Sequence, residues 1–223
     1  MSILFVLLTF IVIATFNYLY FRNTPEATVA VAPEVPLRPK MPVMAKESGF
    51  SIPQGYSFHP GHAWVVQEGH GNARVGLDGF ATDLIGKIDH IDVGSVGRWV
   101  RQGQRLFTVQ ANGVSFEVLS PVEGVVMAMN DDVVKDPALA SRDPYKDGWI
   151  AMLQSPDFTI NQKNLLQGSM VAPWMHYNVV RLNAAIAKSN PEFAQDGGVP
   201  VGQVLSRVQP EIRQQLIKDF FLN

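Results

Sequence analysis

Cysteine is absent from the 223 residues. That excludes disulfides, thiolate metal sites, iron–sulfur ligation and a cysteine nucleophile, while leaving the compartment open. A basic excess is missing too: 18 Lys and Arg against 20 Asp and Glu give a net charge of −2, so no positive field gathers nucleic acid. No phosphate-cradling loop is present, since Gly69, Gly71 and Gly76 are spread over a turn and a strand. Ser115, Ser120 and Ser141 lack the context of a nucleophile elbow. His59, His62 and His70 lie near one another, but Glu68 is the only acid among them, too thin a donor set for a metal. Asp131, Asp132, Asp136, Asp143 and Asp147 read as turn formers, without the glycine and terminal glutamate of a calcium loop. The expectation is a chain with no catalytic residue, no metal and no cofactor, which takes no small-molecule substrate.

Charge is also absent from Ile3 to Phe21, where Asn17 and two threonines are the main polar interruptions. At about 1.5 Å per residue this run is about 28 Å long, close to a bilayer core of about 30 Å. Tyr18 and Tyr20 stand near one end, where an interfacial aromatic belt would be, and Arg22 follows. A cleaved signal peptide is the rival reading, with Ala30–Val31–Ala32 as its small-residue site, but no Lys or Arg precedes the run. The spacing predicts a single transmembrane anchor over residues 1–22. Arg22, Arg38 and Lys40 all follow it, so the body is expected on the cytoplasmic face. Residues 23–53 hold six prolines without helical or strand period and read as a Pro-rich linker.

From Tyr56 the chain changes character. Short alternating runs appear at His62–Val66, Ala73–Val75, Ile88–Val93, Leu106–Val109, Val114–Leu119, Gly124–Met129 and Trp149–Leu153, separated by Gly, Asp and Asn turns. One helical window, Asp78–Ile85, interrupts them. Asn112–Gly113 between two alternating arms is a strong hairpin signal, because a type I′ turn needs positive φ at both central residues. Arg98, Arg101 and Arg105 form a small basic cluster at a strand corner, read as a solvated edge. Beyond Asp157 the pattern turns helical: first Asn161–Ala187, interrupted by Pro173, then Val201–Leu222. The second piece carries Val204, Val208, Ile212, Leu216 and Phe220 as an apolar stripe.

Residues from about Tyr56 to Phe158 carry a resemblance. His62–Ala63–Trp64–Val65, Val75–Gly76–Leu77 with Phe80–Ala81, Leu84–Ile85–Gly86 and Ser120–Pro121–Val122–Glu123–Gly124 each resemble a segment of the glycine cleavage system H-protein family. So does the block Asp136–Pro137–Ala138–Leu139, Asp143–Pro144–Tyr145 and Gly148–Trp149–Ile150, which joins two Asp-Pro turns to a Gly-Trp strand start. The resemblance implies a mainly β, barrel-sandwich hybrid over residues 54–158, with a C-terminal helical extension over 159–223. It also implies that the family's lipoyl-bearing lysine falls on Gly113 and the family's glutamate on Gln110, counting back from Pro121.

Glycine has no side chain and so no free amine, and the lipoyl amide cannot form at Gly113. Lys87, Lys135 and Lys146 lie outside any hairpin tip. The leading reading is therefore a membrane-anchored, non-lipoylated interaction or scaffold subunit that works with protein partners. Its candidate contacts are Gln110, Asn112, Gly113 and Ser115 on the hairpin, and Val204, Val208, Ile212, Leu216 and Phe220 on the added helix. The alternative is a lipoyl carrier, or lipoate-handling protein, using a different lysine.

Overall fold

The computed structural model describes residues 2–22, 44–69, 71–189 and 202–222. Most of the expected linker, the Ala30–Val31–Ala32 site, Arg38, Lys40 and His70 lie outside these residues. The chain divides into two units, Met1–Pro39 and Lys40–Asn223.

The first unit contains α1 (Ser2–Arg22). Its described side chains, residues 6–16 and 18, are exposed. Two threonine hydroxyls bond back into the helix, Thr9 to the Val6 carbonyl (2.8 Å) and Thr15 to the Ile11 carbonyl (2.7 Å). Among the described residues no candidate membrane span is found, so the case for insertion rests on the sequence of α1.

The second unit opens with β1 (Met44–Glu47) and β2 (Phe50–Pro53), an antiparallel pair. These ten residues, assigned to the linker on their sequence, already belong to the folded unit: Phe50 and Ile52 are buried and the Phe50 ring lies edge-on to Phe80. Short length and a Pro at the end hid them. There follow β3 (Ser57–Phe58), β4 (Ala63–Glu68), β5 (Asn72–Leu77), α2 (Gly79–Ile85), β6 (His90–Asp92), β7 (Trp99–Val100), β8 (Arg105–Ala111), β9 (Val114–Leu119) and β10 (Gly124–Met129). Then come α3 (Asp131–Lys135), α4 (Leu139–Arg142), β11 (Ala151–Gln154), α5 (Phe158–Gln162), β12 (Leu166–Gln167), α6 (Val171–Ser189), α7 (Val204–Arg207) and α8 (Pro210–Phe221).

The strands form a seven-stranded antiparallel sheet in the order β12-β3-β4-β5-β11-β10-β7 and a three-stranded sheet β6-β8-β9. One apolar cluster runs through both. The architecture is mainly β with helices gathered at the C-terminal end, as the sequence led us to expect.

Trp64 anchors the larger sheet. Its indole donates to the carbonyls of Leu77 (2.9 Å) and Pro144 (3.0 Å), tying β4 and β5 to the Asp143–Pro144 turn. Gly76 stands opposite Trp64 in the ladder, and a Cβ there would fall 2.6 Å from the indole. The expected helix Asp78–Ile85 forms because Asp78 caps it, its carboxylate accepting from the Ala81 N–H (2.7 Å).

Two helical expectations are corrected. Asn161–Ala187 is not one helix: Leu166–Gln167 pair with Ser57–Phe58 as β12, and Gly168, at φ +56°, turns the chain before α6 begins. Pro173 then sits inside the first turn of α6, where an amide donor would have no intrahelical partner, so it does not interrupt the helix. Val201–Leu222 is likewise split, into α7 and α8. Pro210 disfavours helical geometry at Gln209, which is extended at ψ 154°, and restarts the helix as its first residue.

Candidate interaction site at the hairpin tip

The β8–β9 ladder closes at Ala111↔Val114, leaving a two-residue turn. Asn112 has φ +53° and Gly113 φ +75°, the positive pair that a type I′ turn requires. Gln110, Gly113 and Ser115 are exposed and Asn112 is half-buried. A Cβ built on Gly113 meets nothing within 4 Å, so the tip opens to solvent.

The turn is tied down on three sides by Asn112. Its N–H donates to Asp89 Oδ2 (3.2 Å) and its side-chain amide donates to the carbonyl of Ile85, the last residue of α2 (2.8 Å). Its own carbonyl accepts from Arg213 Nη1 on α8. Arg213 also reaches the Val208 carbonyl through Nη2 (3.4 Å), so one guanidinium joins the hairpin tip to the α7–α8 corner. α8 packs on β9, with the Phe221 and Phe116 rings 4.5 Å apart. β9 is an edge strand of its sheet, and a helix laid against it guards such an edge.

The apolar stripe of the C-terminal extension faces inward. Val204, Leu216 and Phe220 are buried, and Val208 and Ile212 are half-buried against the same core. In this arrangement the five residues pack on their own domain instead of offering a surface to another subunit. Of the four hairpin candidates, Gln110, Gly113 and Ser115 remain together on one exposed corner, with Asn112 half-buried beneath them.

His62 lies beneath this extension. It is fully buried, stacked between Phe80 (4.5 Å) and Trp174 (4.8 Å), with Phe220 at 6.1 Å. Its Nδ1 lies 2.8 Å from Asp78 Oδ2, while Nε2 has no hydrogen-bond partner. His59 Nδ1 accepts from the Gly61 N–H (3.0 Å). Burial, and then the neighbouring His62, lower the pKa of His59 to about 4. Both histidines thus have local structural partners, and among the described residues no group of three or more His, Asp and Glu gathers to hold a metal. Of the Arg98–Arg105 cluster, Arg98 is structural: it donates to the carbonyls of Val93 (3.0 Å), Arg105 (3.1 Å) and Leu106 (2.7 Å) and closes the strand corner.

Lys87 forms an ion pair with Asp89 (3.4 Å), Lys135 ends α3 and Lys146 lies in the loop before β11. The lysine that the fold brings beside the turn is Lys218. It lines a groove with Gly113, Val114, Ser115, Gln214 and Ile217. The sequence reading missed both Arg213 and Lys218. Each lies off the apolar stripe on a polar helix flank, and no local pattern signals contact with a turn about 100 residues earlier.

A family model described as Glycine cleavage H-protein matches residues 56–176. The glycine cleavage system H protein of Micrococcus luteus is 32% identical over 123 residues, covering 55% of this chain and 92% of the relative. That of Mycolicibacterium vanbaalenii is 32% identical over 104 residues, 47% of this chain and 79% of the relative. A crystal structure of a glycine cleavage system H protein from Mycobacterium marinum aligns at 27% identity with a TM-score of 0.44, covering 47% of this chain and 86% of that one. Matched by the family model over more than half its length, the chain belongs to the glycine cleavage H-protein family.

Proposed function

We propose that this protein is a non-catalytic, membrane-anchored member of the family that works by binding protein partners, without a lipoyl arm on its hairpin. The observation that carries the reading is the turn itself. The position to which the resemblance assigns the lipoyl lysine holds Gly113, in a turn whose neighbour Asn112 makes three hydrogen bonds to surrounding elements. A swinging arm needs an amine and a free path; this tip offers a fixed, exposed corner of Gln110, Gly113 and Ser115.

Anchoring is supported by α1. It has 21 residues, about 31 Å at 1.5 Å per residue, which matches a bilayer core. The internal bonds leave neither Thr9 nor Thr15 with an unpartnered hydroxyl in hydrocarbon. Arg22, Arg38 and Lys40 on the C-terminal side of the span support a cytoplasmic body. H-proteins work with the partner subunits of the glycine cleavage system, and a membrane-associated assembly is the corresponding setting for this chain.

Intact-mass measurement on protein from its native host tests the reading: an unmodified polypeptide is expected, and a lipoyl-sized adduct overturns it. Peptide mapping of such an adduct onto any lysine would favour a carrier working through a displaced site.

A further inference from the structure

The groove beside the turn has a charge imbalance. It holds about 590 Å³ between the turn and α8, with Val114 and Ile217 as its apolar floor, Ser115 and Gln214 as hydrogen-bonding groups, and Lys218 as the cation lining it. No acid lines it. The acids nearby are engaged elsewhere. Asp89 is held by Lys87 (3.4 Å) and by the Asn112 N–H (3.2 Å). Asp219 accepts from the Gln215 amide (2.8 Å), and Glu117 faces Arg105 (3.9 Å). Glu211 is two turns along α8 from Lys218, about 10 Å, roughly a Debye length in physiological salt.

Arg213 is a second cation at the turn, outside the lining of the groove. Its guanidinium contacts two backbone carbonyls, and its Nε is buried without a partner. Among the described residues neither Arg213 nor Lys218 forms an ion pair. Lys218 thus stands over the apolar floor with no counter-charge among the described residues, while Arg213, five residues earlier, is held at the turn.

We propose that this groove docks an acidic peptide segment of a partner protein. A carboxylate of the segment sits on Lys218, its neighbouring apolar side chain lies on Val114 and Ile217, and its backbone is met by Ser115 and Gln214. Arg213 is a positioning residue that fixes α8 against the turn so that the groove stays open at constant width. The inference rests on reading the hairpin tip as a docking corner and names the chemistry of what docks there. Peptide is favoured over a small anion because the lining pairs one cation with an apolar strip and amide-type groups.

The test uses the full-length protein in detergent or nanodiscs and a fluorescent peptide of alternating Glu and Leu, beside its Gln-for-Glu counterpart. The acidic peptide is expected to bind at least about 10-fold more tightly than the amide version. Lys218→Glu should abolish that preference and Lys218→Ala should weaken it several-fold, with unchanged circular dichroism because Lys218 is exposed. Equal binding of the two peptides, or an unaltered preference in Lys218→Glu, overturns the proposal. So does competition by free glutamate at concentrations comparable to the peptide, which would make the groove a small-anion site. A photo-crosslinker at Ser115, used in host membranes, separates the two levels. A partner captured equally by wild type and Lys218→Glu overturns the acidic segment alone, whereas no capture overturns the docking corner itself.

Discussion

Arg213 Nη1 donates to the carbonyl of Asn112 across 101 residues of chain, so the last helix holds the tip of the central hairpin. A charge-assisted hydrogen bond of this kind contributes about 1.5–3 kcal/mol when protected and less when half-exposed.

Replacing Arg213 by Ala should destabilise the domain by about 1–2 kcal/mol. The loss should be local. Hydrogen exchange at Asn112, Gly113 and Val114 should speed up, while β4 and β5 amides hold their protection. Arg213→Lys should recover only part of it, because an ammonium cannot span two carbonyls as a planar fork does. Uniform loss over both sheets would count against the lock.

Gly113→Lys restores an amine where the resemblance puts one. Space is open, since beyond its chain neighbours the new Cβ meets no described atom within 4 Å, but φ +75° costs a lysine about 1 kcal/mol. The variant should therefore fold. Incubated with a lipoate ligase, lipoate and ATP, it is expected to gain a lipoyl adduct by mass spectrometry, while wild type does not. A folded variant that stays unmodified would mean that the clamp on Asn112, as well as the missing amine, blocks the chemistry.

Phe220→Ala should loosen the extension. The ring is buried 5.2 Å from Phe80 and carries the Arg181 guanidinium 5.0 Å from its centroid. Truncating a buried Phe costs about 3–5 kcal/mol. Protease cleavage within α8 should appear at lower temperature than cleavage of the sheets, and Trp174 fluorescence should shift as His62 and its cage meet water. Retained α8 protection would show that Phe221 and Leu216 suffice.

His59 makes stability depend on pH. Its folded value of about 4 lies below its ordinary 6.5, so the unfolded chain binds more protons between those values. The contribution is fully present above about pH 6.5 and is lost as pH falls towards 4. Denaturant midpoints measured from pH 7.5 to 4 should fall more steeply for wild type than for His59→Gln. Parallel curves would remove His59 as the cause.

The sequence alone determined the parts whose signals are local. The Asn112–Gly113 hairpin was legible because positive φ at two successive positions admits few residue pairs. The Asp78 cap and the alternation of the strands follow from rules acting within a few residues, and the absence of an amine at Gly113 needs no coordinates. Pro210 carried its own message too, though the periodicity of the stripe obscured it. The tertiary structure decided everything that depends on distant residues meeting. It turned Val204, Leu216 and Phe220 inward onto the chain's own core and folded residues 44–53 into the domain. It also enclosed His62 between Phe80 and Trp174, and brought Arg213 and Lys218 to a turn about 100 residues earlier. Periodicity says that a helix has an apolar face. What that face meets depends on which surfaces are left open once the sheets have formed.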